Sequence, residues 1–228
     1  MKAPLCFVFG LRSPYAWLAW RLLRRHLPAT QLAQIELLPY WDPAPATMAA
    51  LENGGGRFLY RPMSRERHLY ILGDIKRLAR RLDLPLAWAR DSTQPDWERP
   101  HLACVAALKD GCGPAVIDTL FAARWERGLD ICDGAVLVSL LAPHGVALPD
   151  HAAGAGALAA LREAYRLGVF GLPFLAVGRE RYWGVDRLPF ALAEAGLEWR
   201  PLGLAWLDAA APVATPAVPA GPADGEAT

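Results

Sequence analysis

The sequence predicts an α/β fold in which a β-α-β unit opens the chain, an all-helical block follows, and an α-β-β-α unit closes it. Three observations carry this. Two short apolar runs, 5–9 and 34–40, flank a Trp- and Leu-rich segment at 14–27. From about 65 to 145 the apolar residues recur at helical spacing. Near the end, 173–178 and 179–183 read as two strands around a tight Gly178-Arg179 turn.

Each element has its own signal. Leu5-Cys-Phe-Val-Phe9 is the continuous apolar run of a buried strand. Pro14 suits the first turn of the helix that follows. Strands joined through such a helix are parallel, with a right-handed crossover. Segment 41–64 carries Pro43, Pro45 and Gly54-Gly55-Gly56, and reads as loop with at most one short helix. In 65–83, Leu69, Leu72, Ile75, Leu78, Ala79 and Leu82 form one helical stripe. Further helices are expected at 100–110, 113–128, 133–144 and 155–168, the last ending at Gly168, and a final one at 186–195 before Gly196. Residues 209–228 are Ala, Pro and Gly in near repetition and predict a disordered tail.

The 54% hydrophobic content suits a globular core, and a net charge of +1 gives no field for nucleic acid or an anionic membrane. Arg24-Arg25 and Arg80-Arg81 read as solvated helix faces. No apolar run reaches the roughly 18–20 residues of a membrane span. The first apolar stretch is short and is interrupted by Gly10 and Arg12, unlike a signal peptide, so a cytoplasmic location is expected. Cys6, Cys104, Cys112 and Cys132 have neither x-x spacing nor histidines at zinc spacing, so reduced structural thiols and no metal site are expected.

The loop after the first strand leads into Ser13-Pro14-Tyr15-Ala16 at a helix start. A thioredoxin-like protein carries its Cys-x-x-Cys pair at that point. Here Ser13 and Ala16 stand at the two cysteine positions, so sulfur chemistry would need a thiol from outside. Without the helical block the order of elements is that of thioredoxin. This divides the chain into a discontinuous thioredoxin-like domain, 1–42 with 155–200, and a helical insertion, 43–154. A serine hydroxyl at a helix N-terminus can donate to a thiolate, and the helix dipole with its free N–H groups favours negative charge there. The plainer role of Ser13 is an N-cap, and the two roles are compatible.

Ser13-Pro14-Tyr15, taken with Gly168-Val-Phe-Gly-Leu-Pro173-Phe and Tyr182-Trp-Gly-Val-Asp186-Arg187-Leu, resembles the 2-hydroxychromene-2-carboxylate isomerases. These are relatives of the kappa-class glutathione transferases and of the DsbA-like thiol oxidases with a helical insertion. The resemblance covers about residues 5–195, strong at both ends and weak in the middle. It implies glutathione as cofactor and Ser13 as the catalytic residue that stabilises its thiolate. It implies a cis Leu172-Pro173 bond, with the Leu172 backbone pairing to glutathione. Gly184, Val185 and Asp186 would hold the γ-glutamyl end, with Arg187 pairing locally. Val185 departs from the polar residue common in relatives. Arg67 stands where relatives tend to have Lys and would meet a glutathione carboxylate. His101 follows Pro100 where relatives often have Asn, and would face the substrate unless it is a solvated helix-end residue. Tyr15, Trp17, Trp20, Tyr40, Trp41 and Trp183 make the neighbourhood aromatic. Tyr15, Trp41, His101 and Trp183 are the substrate-binding candidates, whereas Trp20 reads as core.

The implied reaction is reversible thiolate addition to a conjugated aromatic or polyketide-like small molecule. Rotation about the resulting single bond and expulsion of the thiolate give cis–trans isomerisation. The alternatives are a kappa-like transferase that releases a conjugate, and a non-catalytic binding member of the fold. A small-molecule electrophile is the expected partner, with a homodimer as an allowed assembly. A dithiol oxidoreductase lacks both motif cysteines.

Overall fold

The computed structural model describes residues 3–148 and 154–197. The expected tail at 209–228 lies outside them. Strand β1 (Leu5–Phe9) leads into α1 (Pro14–His26), the short α2 (Ala29–Leu32) and β2 (Glu36–Pro39). The helices α3 (Pro45–Asn53), α4 (Arg65–Arg81), α5 (Glu98–Lys109), α6 (Gly113–Trp125) and α7 (Gly134–Leu141) follow, α7 running into a 3-10 turn at Ala142–His144. The chain then returns through α8 (Ala155–Leu167), β3 (Phe174–Val177), β4 (Glu180–Trp183), a 3-10 turn at Val185–Arg187 and α9 (Leu188–Ala195). The expected final helix therefore begins as a 3-10 turn. Helix α2 was not expected, because its four residues, Ala-Thr-Gln-Leu, are too few for a periodic pattern.

The sheet order is β2-β1-β3-β4. β1 and β2 are parallel with Phe7 opposite Leu37, and β1 and β3 are antiparallel with Phe7 opposite Leu175. β4 pairs antiparallel to β3, with Trp183 opposite Phe174. Because successive strand residues point to opposite faces, β1 serves two cores. Phe7 and Phe9 join Leu175, Val177, α1, α9 and most of the insertion, whereas Cys6 and Val8 join Phe174, Ala176, Leu51 and Leu161 of α3 and α8.

Helix α1 ties this sheet to the insertion. Trp17 and Trp20 are fully buried. Their indole N–H groups donate to Glu126 (2.9 Å) and Asp118 (3.0 Å) on the α6 side, and Arg21 bonds both acids. Trp17 and Trp20 are therefore core residues. Arg24, Arg25, Arg80 and Arg81 are exposed. No described helix is long and apolar enough to cross a membrane.

Candidate active site

Ser13 closes a tight turn, its N–H donating to the Gly10 carbonyl at 2.9 Å. Gly10 is required by close approach: a Cβ there would lie 2.6 Å from Leu172 Cδ1 and 2.8 Å from the Tyr40 carbonyl. Ser13 then N-caps α1, its Oγ accepting from the Ala16 N–H at 3.2 Å. A hydroxyl that accepts still has its own proton to donate. The Tyr15 N–H has no acceptor among the described residues, so a donor hydroxyl and a free N–H stand together at the positive end of α1.

Two C-terminal segments meet this turn. The Leu172-Pro173 bond is cis, as expected. Neither the N–H nor the C=O of Leu172 has a hydrogen-bond partner among the described residues. The Gly184 N–H donates to the Pro173 carbonyl at 3.0 Å. Gly184 has φ +110° and ψ 155°, a region essentially confined to glycine, and a Cβ there would lie 2.5 Å from Asp186 Oδ1. The Val185–Arg187 turn packs on α1. Ser13, Leu172-Pro173 and Gly184–Asp186 therefore converge at one end of the sheet. The Val185 side chain is buried in the core, so only its backbone N–H is available, together with that of Asp186. Asp186 is half-exposed, with Arg187 at 3.6 Å as its ion-pair partner.

The insertion supplies one wall. Tyr15 Oη donates to Asp74 of α4 at 2.7 Å, and burial together with that bond raises its pKa. Arg67 is exposed two turns before Asp74, on the same helix face and about 10 Å along the axis. Trp183 is 48% exposed beside Phe170, also 48%, their rings edge to face at 5.1 Å. The fit of Trp183 depends on Gly171, whose Cβ would lie 2.6 Å from the indole Nε1. An open depression lined by Tyr182, Arg187 and Phe190 lies along α9 and does not include Ser13.

Two substrate-binding expectations are corrected. Trp41 is 3% exposed; its indole donates to Glu98 at 3.2 Å, and its ring stacks on His101 at 5.6 Å. His101 is 1% exposed, neither facing a substrate nor solvated as a helix-end residue would be. Its Nε2 accepts from the Leu11 N–H at 2.9 Å, and Nδ1 lies 2.6 Å from the Trp97 carbonyl. Leu11 N–H is a donor, so the imidazole is neutral with its proton on Nδ1. Burial lowers its pKa to about 4. The helix begins at Glu98, two residues before the expected start at 100, so His101 lies inside its first turn. Glu98 is itself buried, accepting from Trp41 Nε1, the Ala44 N–H (2.8 Å) and Thr47 Oγ1 (2.7 Å). Nothing in the local sequence distinguishes such a carboxylate, nor Asp74, from a surface acid.

Cys6, Cys104 and Cys132 are poor thiolates. Burial raises the pKa of Cys6 and Cys132 to about 12 and raises that of Cys104 as well. Among the described residues no group of three or more His, Cys, Asp or Glu side chains could hold a metal ion.

The chain is similar to the 2-hydroxychromene-2-carboxylate isomerase structure at 20% identity, covering 90% of this chain and 97% of that one, with a TM-score of 0.58. It is also similar to the cytosolic disulfide reductase DsbM from Pseudomonas aeruginosa, solved with GSH, at 20% identity, covering 84% and 95%, with a TM-score of 0.51. No curated protein matches it. At these identities the likeness concerns the fold. The DSBA-like thioredoxin domain model matches residues 5–195, the whole span from β1 to the end of α9, and the chain belongs to that family.

Proposed function

We propose that this protein is a glutathione-dependent cis–trans isomerase of a conjugated aromatic or polyketide-like small molecule. One observation carries the reading: Ser13 stands at the first position of the dithiol motif, with its lone pair used for capping and its O–H left to donate. Ala16 stands at the second, so the site has no dithiol to oxidise or reduce.

The residues present fit glutathione. The unpaired N–H and C=O of Leu172 can pair with an extended peptide as a strand would. The Val185 and Asp186 N–H groups suit the γ-glutamyl carboxylate and the Asp186 carboxylate suits its ammonium. Arg67 is the candidate for a second carboxylate. When bound, glutathione supplies a thiolate for reversible addition to an activated double bond. Ser13 Oγ–H holds that sulfur as an anion, and the end of α1 lowers the thiol pKa. Tyr15, tied to Asp74, and Trp183 with Phe170 form walls suited to a flat electrophile. The solved DsbM structure with GSH supports glutathione as the thiol, and the isomerase neighbour supports isomerisation. A cytoplasmic site of action, rich in glutathione, fits the same reading.

The test is product analysis with an aromatic α,β-unsaturated carbonyl of defined geometry. Substrate of unchanged mass and altered geometry, formed only with sub-stoichiometric glutathione, is expected. A mass gain of one glutathione would make the protein a transferase. No binding at millimolar glutathione would leave a non-catalytic member of the fold.

A further inference from the structure

Besides its contacts within the thioredoxin-like part of the chain, the turn carrying Ser13 is tied to the helical insertion through Leu11. The Leu11 N–H donates to His101 Nε2 of α5 (2.9 Å), and the Leu11 carbonyl accepts from Trp125 Nε1 of α6 (2.9 Å). Both groups are buried. Two residues later the Ser13 N–H closes on Gly10. The loop is thus pinned on both polar groups of one residue, and a shift there is carried directly to the Ser13 cap.

The two clamps are fixed in turn. His101 Nδ1–H donates to the Trp97 carbonyl, and its ring stacks on Trp41, whose indole is held by Glu98. Trp125 stacks on Trp17 at 6.2 Å, and the Arg124 guanidinium lies over both Trp125 and Trp97 at 5.2 Å. A histidine that only filled space in α5 would not need to accept from a donor on a loop 90 residues away in sequence. Loss of that acceptor would leave the Leu11 N–H buried and unsatisfied, so the loop would have to move to find a partner.

We propose that His101 is a positioning residue: in its Nδ1–H tautomer it accepts from the Leu11 N–H, and so sets the turn that aims the Ser13 hydroxyl at the bound sulfur. The assignment rests on the thiol reading of Ser13 for its catalytic consequence, but not for its structural content. His101 touches no reacting atom. Its effect belongs in the ionisation of the bound thiol and in kcat, with KM for the electrophile little changed.

The experiment compares wild type, His101→Phe, which keeps the stack on Trp41 and removes the acceptor, and His101→Gln, whose amide oxygen can take the place of Nε2. In folded protein, the pKa of bound glutathione is followed by thiolate absorbance. His101→Phe should raise that pKa and lower kcat several-fold, and His101→Gln should recover most of both. Equal pKa and kcat in folded His101→Phe would overturn the proposal. If wild type binds no glutathione, the thiol reading fails by itself. The positioning role is then read from amide exchange: faster exchange at Leu11 and Ser13 in His101→Phe supports it, and unchanged exchange refutes it. Should His101→Phe not fold, ¹⁵N NMR of wild type decides. A coupling between the Leu11 amide and an unprotonated His101 Nε2 at neutral pH supports the assignment, and a protonated Nε2 refutes it.

Discussion

Acid should destabilise this protein in part through the buried His101. His101 takes a proton at about pH 4 in the folded chain, against 6.5 for an ordinary imidazole, because burial disfavours the cation. Its Nε2 is already the acceptor for the Leu11 N–H, so a proton there would also set two donors against each other. Between pH 6.5 and 4 the unfolded chain binds the proton and the folded chain does not. Stability is therefore complete above pH 6.5 and is lost as pH falls toward 4. A folded value of about 4 against 6.5 in the unfolded chain corresponds to about 3 kcal/mol in total. About 2 kcal/mol of it is lost between pH 7.5 and 5.0. With a urea m-value of about 2 kcal/mol/M, the midpoint moves down by about 1 M. The assay is urea unfolding followed by tryptophan fluorescence across that range, with His101→Gln in parallel. Carboxylate contributions are common to both proteins and cancel in the difference. His101→Gln should be less stable at pH 7.5 but flatter with pH. Parallel curves for the two proteins would refute the buried neutral imidazole.

Three further outcomes are expected. Ser13→Ala removes the α1 cap, costing about 1 kcal/mol in unfolding free energy, and lowers turnover by about ten-fold or more as a lost transition-state donor. Activity assays with chemical denaturation separate the two effects. Gly184→Ala forces a side chain into φ +110° against Asp186, so a loss of about 1–3 kcal/mol by urea unfolding and weaker glutathione binding by calorimetry are expected. Glu98→Ala strands the donors of Trp41, Ala44 and Thr47. At about 1–3 kcal/mol for each unsatisfied group, it should be the most destabilising of the three by urea unfolding.

Much of the fold was legible because its signals are local. The apolar run Leu5–Phe9, the part of the α4 stripe at Ile75 and Ala79, and the strand before Gly178 follow from which residues must leave water, whereas Leu69 at the start of that stripe is 54% exposed. The convergence of Ser13, Leu172-Pro173 and Gly184–Asp186 was legible as motifs in order. The roles of Trp41 and His101 were not. A tryptophan and a histidine near a cleft have the same local sequence whether they line it or support it. What decides is the buried Glu98, whose carboxylate is satisfied by three donors drawn from residues 41–47.

The sequence by itself determined the order of strands and helices, the missing dithiol and the serine at its place, since these depend on residue type and short spacing. Only the tertiary structure decided what holds that serine. The hydrogen bonds joining Leu11 to His101, as donor, and to Trp125, as acceptor, span 90 and 114 residues. Their partners are chosen by how α5 and α6 pack against the loop, and no periodicity in the chain records which buried donor will meet which acceptor.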